Sequence, residues 1–172
     1  ERVGYTSTFP KEVFAESEAI DCATLISDPK RIDLTKIPTI TIDELGTCDR
    51  DDAISLHSDT NGISYLGIHV TDAGFLVPPN GAIDTAAKNR MSSIYLPTQI
   101  LPMLPHNLIA TNGTLSKNRK RAALSIVVKL SPTNTLIAWE IHRSVIESDE
   151  ALSYEDAELA LEDTDHKWHR FI

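Results

Sequence analysis

The stretch "TIDELGTCDRDDAISL", residues 41–56, reads as the end of one strand, a loop, and the start of another. On one side "TITID" (39–43) alternates and is rich in β-branched residues, and on the other "AISLH" (53–57) does the same. The loop between them is acidic. Residues 41–52 hold five acids, four of them the aspartates Asp43, Asp49, Asp51 and Asp52. Carboxylates this close raise one another's pKa values and cost stability unless something positive sits among them. The stretch therefore asks for a cation, an unusual partner or a fully solvated loop.

Further along the chain, "ISYLGIHV" (63–70), "RAALSIVVKL" (121–130) and "TLIAWEIHRSVI" (135–146) show the same strand-like alternation. "SDTNG" (58–62) is a turn and predicts a hairpin between the second and third strands. "STFPKEVFAESEAI" (7–20) predicts a short helix with Pro10 near its first turn, and "SDPKRIDLTKIP" (27–38) a connector. "GAIDTAAKNRMSS" (81–93) predicts a helix or an irregular alanine-rich segment. The three prolines of "LPTQILPMLPHN" (96–107) exclude a long regular helix there. In "LSYEDAELALED" (152–163), Ser153 followed by Asp156 resembles a capping box. The class these elements predict is α/β (α+β): a mixed, mainly antiparallel sheet with flanking helices.

A chain of 172 residues with 41% hydrophobic and 24% charged residues suits one globular domain, or one domain with extensions. Apolar runs are short, as in Leu136 to Trp139, so no transmembrane span is predicted, and no signal peptide is visible. Cys22 and Cys48 follow no zinc or disulfide spacing; free thiols in a reducing compartment, the cytoplasm or an organelle, are the simplest reading. The first residue is Glu1, which reads as a processed chain or a piece of a longer one. The net charge of −9 weighs weakly against a nucleic-acid partner. "SKNRKR" (116–121) runs the other way, with Lys117, Arg119, Lys120 and Arg121 and no acid. By residue type it reads as a solvated loop, with phosphate contact as the alternative.

Oxygen ligands in the spacing D-x5-D-x-D-D suit a hard divalent cation. An EF-hand loop beginning at Asp49 fails, because Ile54 and Thr60 stand where Gly and Glu are required. Mg²⁺ fits better: it takes one or two carboxylates and completes its shell with water and substrate phosphate. Pairs of such ions serve phosphodiester hydrolysis. A solvated acidic turn is the alternative.

"RIDLT" (31–35) followed by "TIDELGTCDRDDAISL" resembles the opening of the RNB catalytic domain of the ribonuclease II / ribonuclease R family. The resemblance continues through "YLGIHVTDAG" (65–74), "AIDTAAKNRMSSIYLPTQILPMLP" (82–105), "RAALSIVVKL" and "SVIESDEALSYEDA" (144–157). It implies a Mg²⁺-dependent exoribonuclease, with Mn²⁺ as a possible substitute, that degrades single-stranded RNA from the 3′ end to nucleoside 5′-monophosphates. Asp43 and Asp52 would hold metal directly, Asp51 would be the least replaceable acid, and Asp49 would assist a second ion or the substrate. Tyr95 would stack on a base near the RNA 3′ end, as aromatic rings do for single strands.

The resemblance divides the chain into an N-terminal helical extension and linker (1–30), the N-terminal part of the catalytic domain (31–158) and a tail (159–172). Some positions depart from the family pattern. Thr71-Asp72 stands where Ala-Asp is usual, and Lys120 stands where many members place an acid before Arg121. A later Arg-rich motif, a late Glu and flanking OB-type RNA-binding barrels are also expected of the family. These make the remainder of the same polypeptide an expected partner, and the isolated segment is expected to be inactive. The competing reading is a non-catalytic RNA-binding or assembly protein that keeps the scaffold. His57, His69, His106 and His142 read as packed or surface residues, and "HKWH" (166–169) shows no third metal ligand.

Overall fold

The computed structural model describes residues 8–172. Its long strands are β2 (Thr39–Asp43), β3 (Asp52–Ser58), β4 (Ser64–Thr71), β7 (Lys120–Leu130) and β8 (Leu136–Glu147), matching the five alternating segments of the sequence. Two short strands, β1 (Ile32–Asp33) and β9 (Glu150–Ser153), complete one sheet in the order β1-β8-β7-β4-β3-β2-β9. Neighbours within it are antiparallel except β1 with β8 and β2 with β9. The proline-rich segment forms a separate hairpin of β5 (Ile94–Leu96) and β6 (Gln99–Leu101). The fold is mixed α/β with a mainly antiparallel sheet. No helix among the described residues is long and apolar enough to cross a membrane.

Local chemistry accounts for the joints. In the β3–β4 turn, Asp59 Oδ1 accepts from Asn61 N at 2.9 Å and Ile63 N at 3.0 Å, and Gly62 takes φ +76°. Helix α6 (Tyr154–Glu162) opens on the full capping box of Ser153 and Asp156. Helix α4 (Ala82–Arg90) has no cap of its own. Its first N–H groups, from Ala82 and Ile83, donate instead to Glu16 Oε2 of helix α1 (Lys11–Glu18). Val13, Ile83 and Leu108 pack beneath this junction.

The two faces of the sheet are used unequally. At the β2/β9 end, α6 and the C-terminal turns cover Ile40, Leu152, Ala160 and Trp168. On the opposite face Ala53, Leu115, Ala123 and Ile146 form a second cluster. Between them the alternation is inverted. Ser55, His69, Ser125 and Ser144 are buried, while Ile68, Val70, Leu124, Trp139 and Ile141 form an exposed apolar stripe across β4, β7 and β8.

Arg31 and Asp72, both inside quoted motifs, have a structural task. The buried Arg31 donates to Asp72 Oδ2 at 2.6 Å and to the carbonyls of Ser144 and Ala123. Its guanidinium also lies 4.8 Å from the Phe75 ring centre, and that of Arg143 lies 4.4 Å from it. This group ties the connector before β1 to the end of β4.

Candidate active site

The acidic loop leaves β2 at Asp43, turns at Gly46 (φ +88°) and re-enters the sheet at Asp52, the first residue of β3. Its return limb is clamped at the backbone. Arg50 N donates to Thr114 Oγ1 at 3.0 Å, Leu115 N donates to Arg50 O at 2.9 Å, and Thr71 N donates to Asp51 O at 2.8 Å. The clamp is itself braced. Thr71 Oγ1 donates to Gly113 O at 2.6 Å, at the end of the π-helical turn Ile109–Gly113. Arg121 donates to the carbonyls of Thr114, Thr111 and Lys120 at 2.8, 3.0 and 3.0 Å.

The electrostatics follow from this crowding. Loss of hydration pushes the Asp43 carboxyl up; Arg50 opposes the shift and Asp52 and Asp49 add to it. Asp51 is pushed up first by lost hydration, then by the charges of Asp49, Asp52 and Asp43, with no cation opposing. Asp43 Oδ2 is buried and accepts no hydrogen bond. The four acids are thus one electrical cluster. Their chemistry, hard oxygen donors with one orphaned atom, fits a divalent cation such as Mg²⁺. Among the described residues, no group of three or more His, Cys, Asp or Glu side chains converges as a ready cage.

Asp49 and Asp51 open onto a cavity of about 300 Å³ that Tyr95 also lines, with Val70, Met103 and Leu104 on its apolar walls. Tyr95 sits on β5 and is 68% exposed. The basic run is dispersed. Lys117 pairs with Glu150, Arg121 is committed to the carbonyls above, and Arg119 and Lys120 face solvent. None of the four lines the cavity.

Arg50, Thr71 and Thr114 join the site through the fold. Arg50 had a signal, being the sole cation among residues 41–52. Thr71 shows in the sequence as a departure from the family's Ala-Asp, while Thr114 has no signal, because its partner Arg50 lies far along the chain.

A mainly antiparallel sheet thus carries an acidic strand-loop-strand beside a cavity that one aromatic ring, Tyr95, lines. The RNB domain model matches residues 31–171, and the chain belongs to that family. Among its relatives, Ribonuclease R of Chlamydia muridarum is 35% identical over 158 residues, covering 91% of this chain and 23% of the relative. Ribonuclease R of Thermotoga maritima is 33% identical, covering 90% and 22%. The chain thus spans about a quarter of these relatives' length. Among solved structures, Mycoplasma genitalium RNase R in complex with double-stranded RNA superposes with a TM-score of 0.84 at 24% identity, covering 93% of this chain and 28% of that one. Yeast Ssd1, a pseudonuclease, superposes at 0.70 with 24% identity, covering 80% and 17%.

Proposed function

We propose that the polypeptide carrying this chain is an exoribonuclease that hydrolyses single-stranded RNA from its 3′ end, releasing nucleoside 5′-monophosphates. The observation that carries the reading is the shared cavity: repelling carboxylates and an exposed tyrosine ring open onto one space large enough for a nucleotide. Asp43 and Asp52, with Asp51, would hold Mg²⁺ or Mn²⁺, and Asp49 would assist a second ion or the substrate. A divalent cation bound there supplies Lewis acidity toward the phosphate and toward an attacking water. Tyr95 holds the terminal base by its ring face, which is indifferent to sequence. The apolar walls thin the water around the reacting phosphate. The clamp at Arg50 and Asp51 keeps the acids fixed while they repel.

The proposed partners are single-stranded RNA and further segments of the same polypeptide, including OB-type RNA-binding domains. The exposed apolar stripe supports the second: Trp139 is 60% and Ile141 53% exposed on the sheet surface. A non-catalytic RNA-binding role is the second reading, and the shared fold of the pseudonuclease Ssd1 favours it.

Asp51→Asn in the full-length protein separates the two. Hydrolysis of single-stranded RNA should fall by roughly a thousandfold or more, several kcal/mol of transition-state stabilisation, while RNA binding is kept. Mn²⁺ binding should weaken. Unchanged Mn²⁺ affinity would remove the acids from the metal site, and a wild-type protein that binds RNA without cleaving it would favour the second reading.

A further inference from the structure

We infer that Arg50 is the resident counter-cation of the acidic cluster and that a divalent cation must displace it from Asp43 to bind. The inference rests on the metal-site reading above. Arg50 Nε lies 3.5 Å from Asp43 Oδ2, with the two side chains 23% and 16% exposed. Both atoms are buried, and neither has a hydrogen-bond partner. The contact therefore neutralises charge without the directed hydrogen bonds that make a guanidinium–carboxylate pair strong. It is a loose pairing in a place that needs a cation.

Of the other cations, Arg31 pairs with Asp72, Lys117 with Glu150 and Arg121 with three carbonyls, while Arg119 and Lys120 face solvent. The Arg50 backbone is held from both sides by Thr114 and Leu115. Its side chain can therefore leave without moving the loop that carries the acids. A guanidinium beside Asp43 and a doubly charged ion on the same carboxylate repel one another. This also accounts for the absence of a converged cage among the described residues, since Asp43 is turned to Arg50. Arg50 is a positioning residue, one that protects the loop from self-repulsion at some cost in metal affinity.

The test is Mn²⁺ binding to the full-length protein, read by the electron paramagnetic resonance of free Mn²⁺ and by the Mn²⁺-induced rise in Tm. Arg50→Met should bind Mn²⁺ roughly tenfold tighter, melt lower without metal and gain more in Tm when it is added. Arg50→Lys, which keeps the charge, should stay near wild type. Arg50→Gln replaces the Met variant if that one folds poorly. Equal or weaker Mn²⁺ binding by the neutral variants would overturn the inference. Wild-type protein that binds no Mn²⁺, or binds it equally well as Asp51→Asn, would overturn the metal-site reading as well, a result distinguishable from the first.

Discussion

Two polar clusters lie a few residues apart on the same sheet and obey opposite rules. In the first, every atom is partnered. His69, 1% exposed, has Nδ1 2.6 Å from Ser125 Oγ and Nε2 2.8 Å from Ser55 Oγ, and Ser125 Oγ lies 2.6 Å from Ser144 Oγ. Ser144 Oγ donates to Ala123 O at 3.2 Å, which orders the whole chain. Ser125 must then donate to Ser144, His69 Nδ1–H to Ser125, and Ser55 to the bare Nε2. One neutral tautomer satisfies all of it. Gly67 leaves the room, for a Cβ there would meet Ser55 Oγ at 2.2 Å and His69 Nε2 at 2.6 Å. In the second cluster the carboxylates of Asp43, Asp49, Asp51 and Asp52 repel, and their one cation makes no hydrogen bond to them. A satisfied network specifies structure, and a frustrated one is kept where a ligand is to complete it.

Each cluster can be broken to sharpen this contrast. The largest effect on stability belongs to the satisfied one. His69→Ala leaves the Ser55 hydroxyl without its partner, takes the donor from Ser125 and opens a cavity, and should cost on the order of 3–5 kcal/mol in urea unfolding. A cost under about 1 kcal/mol, typical of surface sites, would show that the network carries no structural weight.

Next comes pH. Burial holds the His69 pKa down at about 4, against 6.5 for the free residue. Below 6.5 the unfolded chain takes up a proton that the folded one refuses. Stability should therefore fall as pH drops from about 6.5 to about 4, by about 3 kcal/mol in all. The raised carboxyls of Asp43 and Asp51 act with the opposite sign: their cost is present above their folded pKa values and is relieved as pH falls through them. The His69 contribution is read as the difference in slope between wild type and His69→Ala, and equal slopes would contradict it.

Tyr95→Ala tests the exposed side of the frustrated region. On the proposed function, loss of a base contact should remove about 1–3 kcal/mol from the binding of short RNA, so the full-length protein should stop at a longer end product. Stability should shift by no more than about 0.5 kcal/mol, as for other surface positions. A large drop in Tm with an unchanged end product would take Tyr95 out of the site.

The smallest effect is the most diagnostic. Asp51→Asn, which should abolish hydrolysis, should raise stability by about 0.5–1 kcal/mol, little because the group keeps part of its hydration. A lower Tm would mean that Asp51 serves the fold.

Alternation made the five long strands legible, but it does not say which face is inside. Ile68, Val70, Leu124, Trp139 and Ile141 would be assigned to the core by hydrophobicity, yet they are exposed, while the alternating Ser55, His69, Ser125 and Ser144 are buried. The reason is that hydrogen bonds, not apolar contacts, fill this part of the interior. The short strands β1 and β9 left no periodic trace, since each is defined by a parallel partner distant in the chain. The four aspartates of the candidate site were legible because they crowd within ten residues of sequence. The clamp from Thr71, Thr114 and Arg121 was not, because its hydrogen bonds run to backbone atoms across the fold.

The parallel pairing of β9 with β2 has a consequence for synthesis. A ribosome delivers β2, with Asp43 at its end, well before the segment that flanks it: Asp43 is opposite Ser153, and Ile40 opposite Glu150. Until residue 153 has emerged, the outer edge of β2 has no neighbour, and such an edge invites pairing with other chains. The outer edge of the strand that feeds the acidic loop is thus covered only once residues 150–153 have been translated. Its register with β3 and the clamp on the acidic loop come from residues translated earlier, so it is this edge alone that waits.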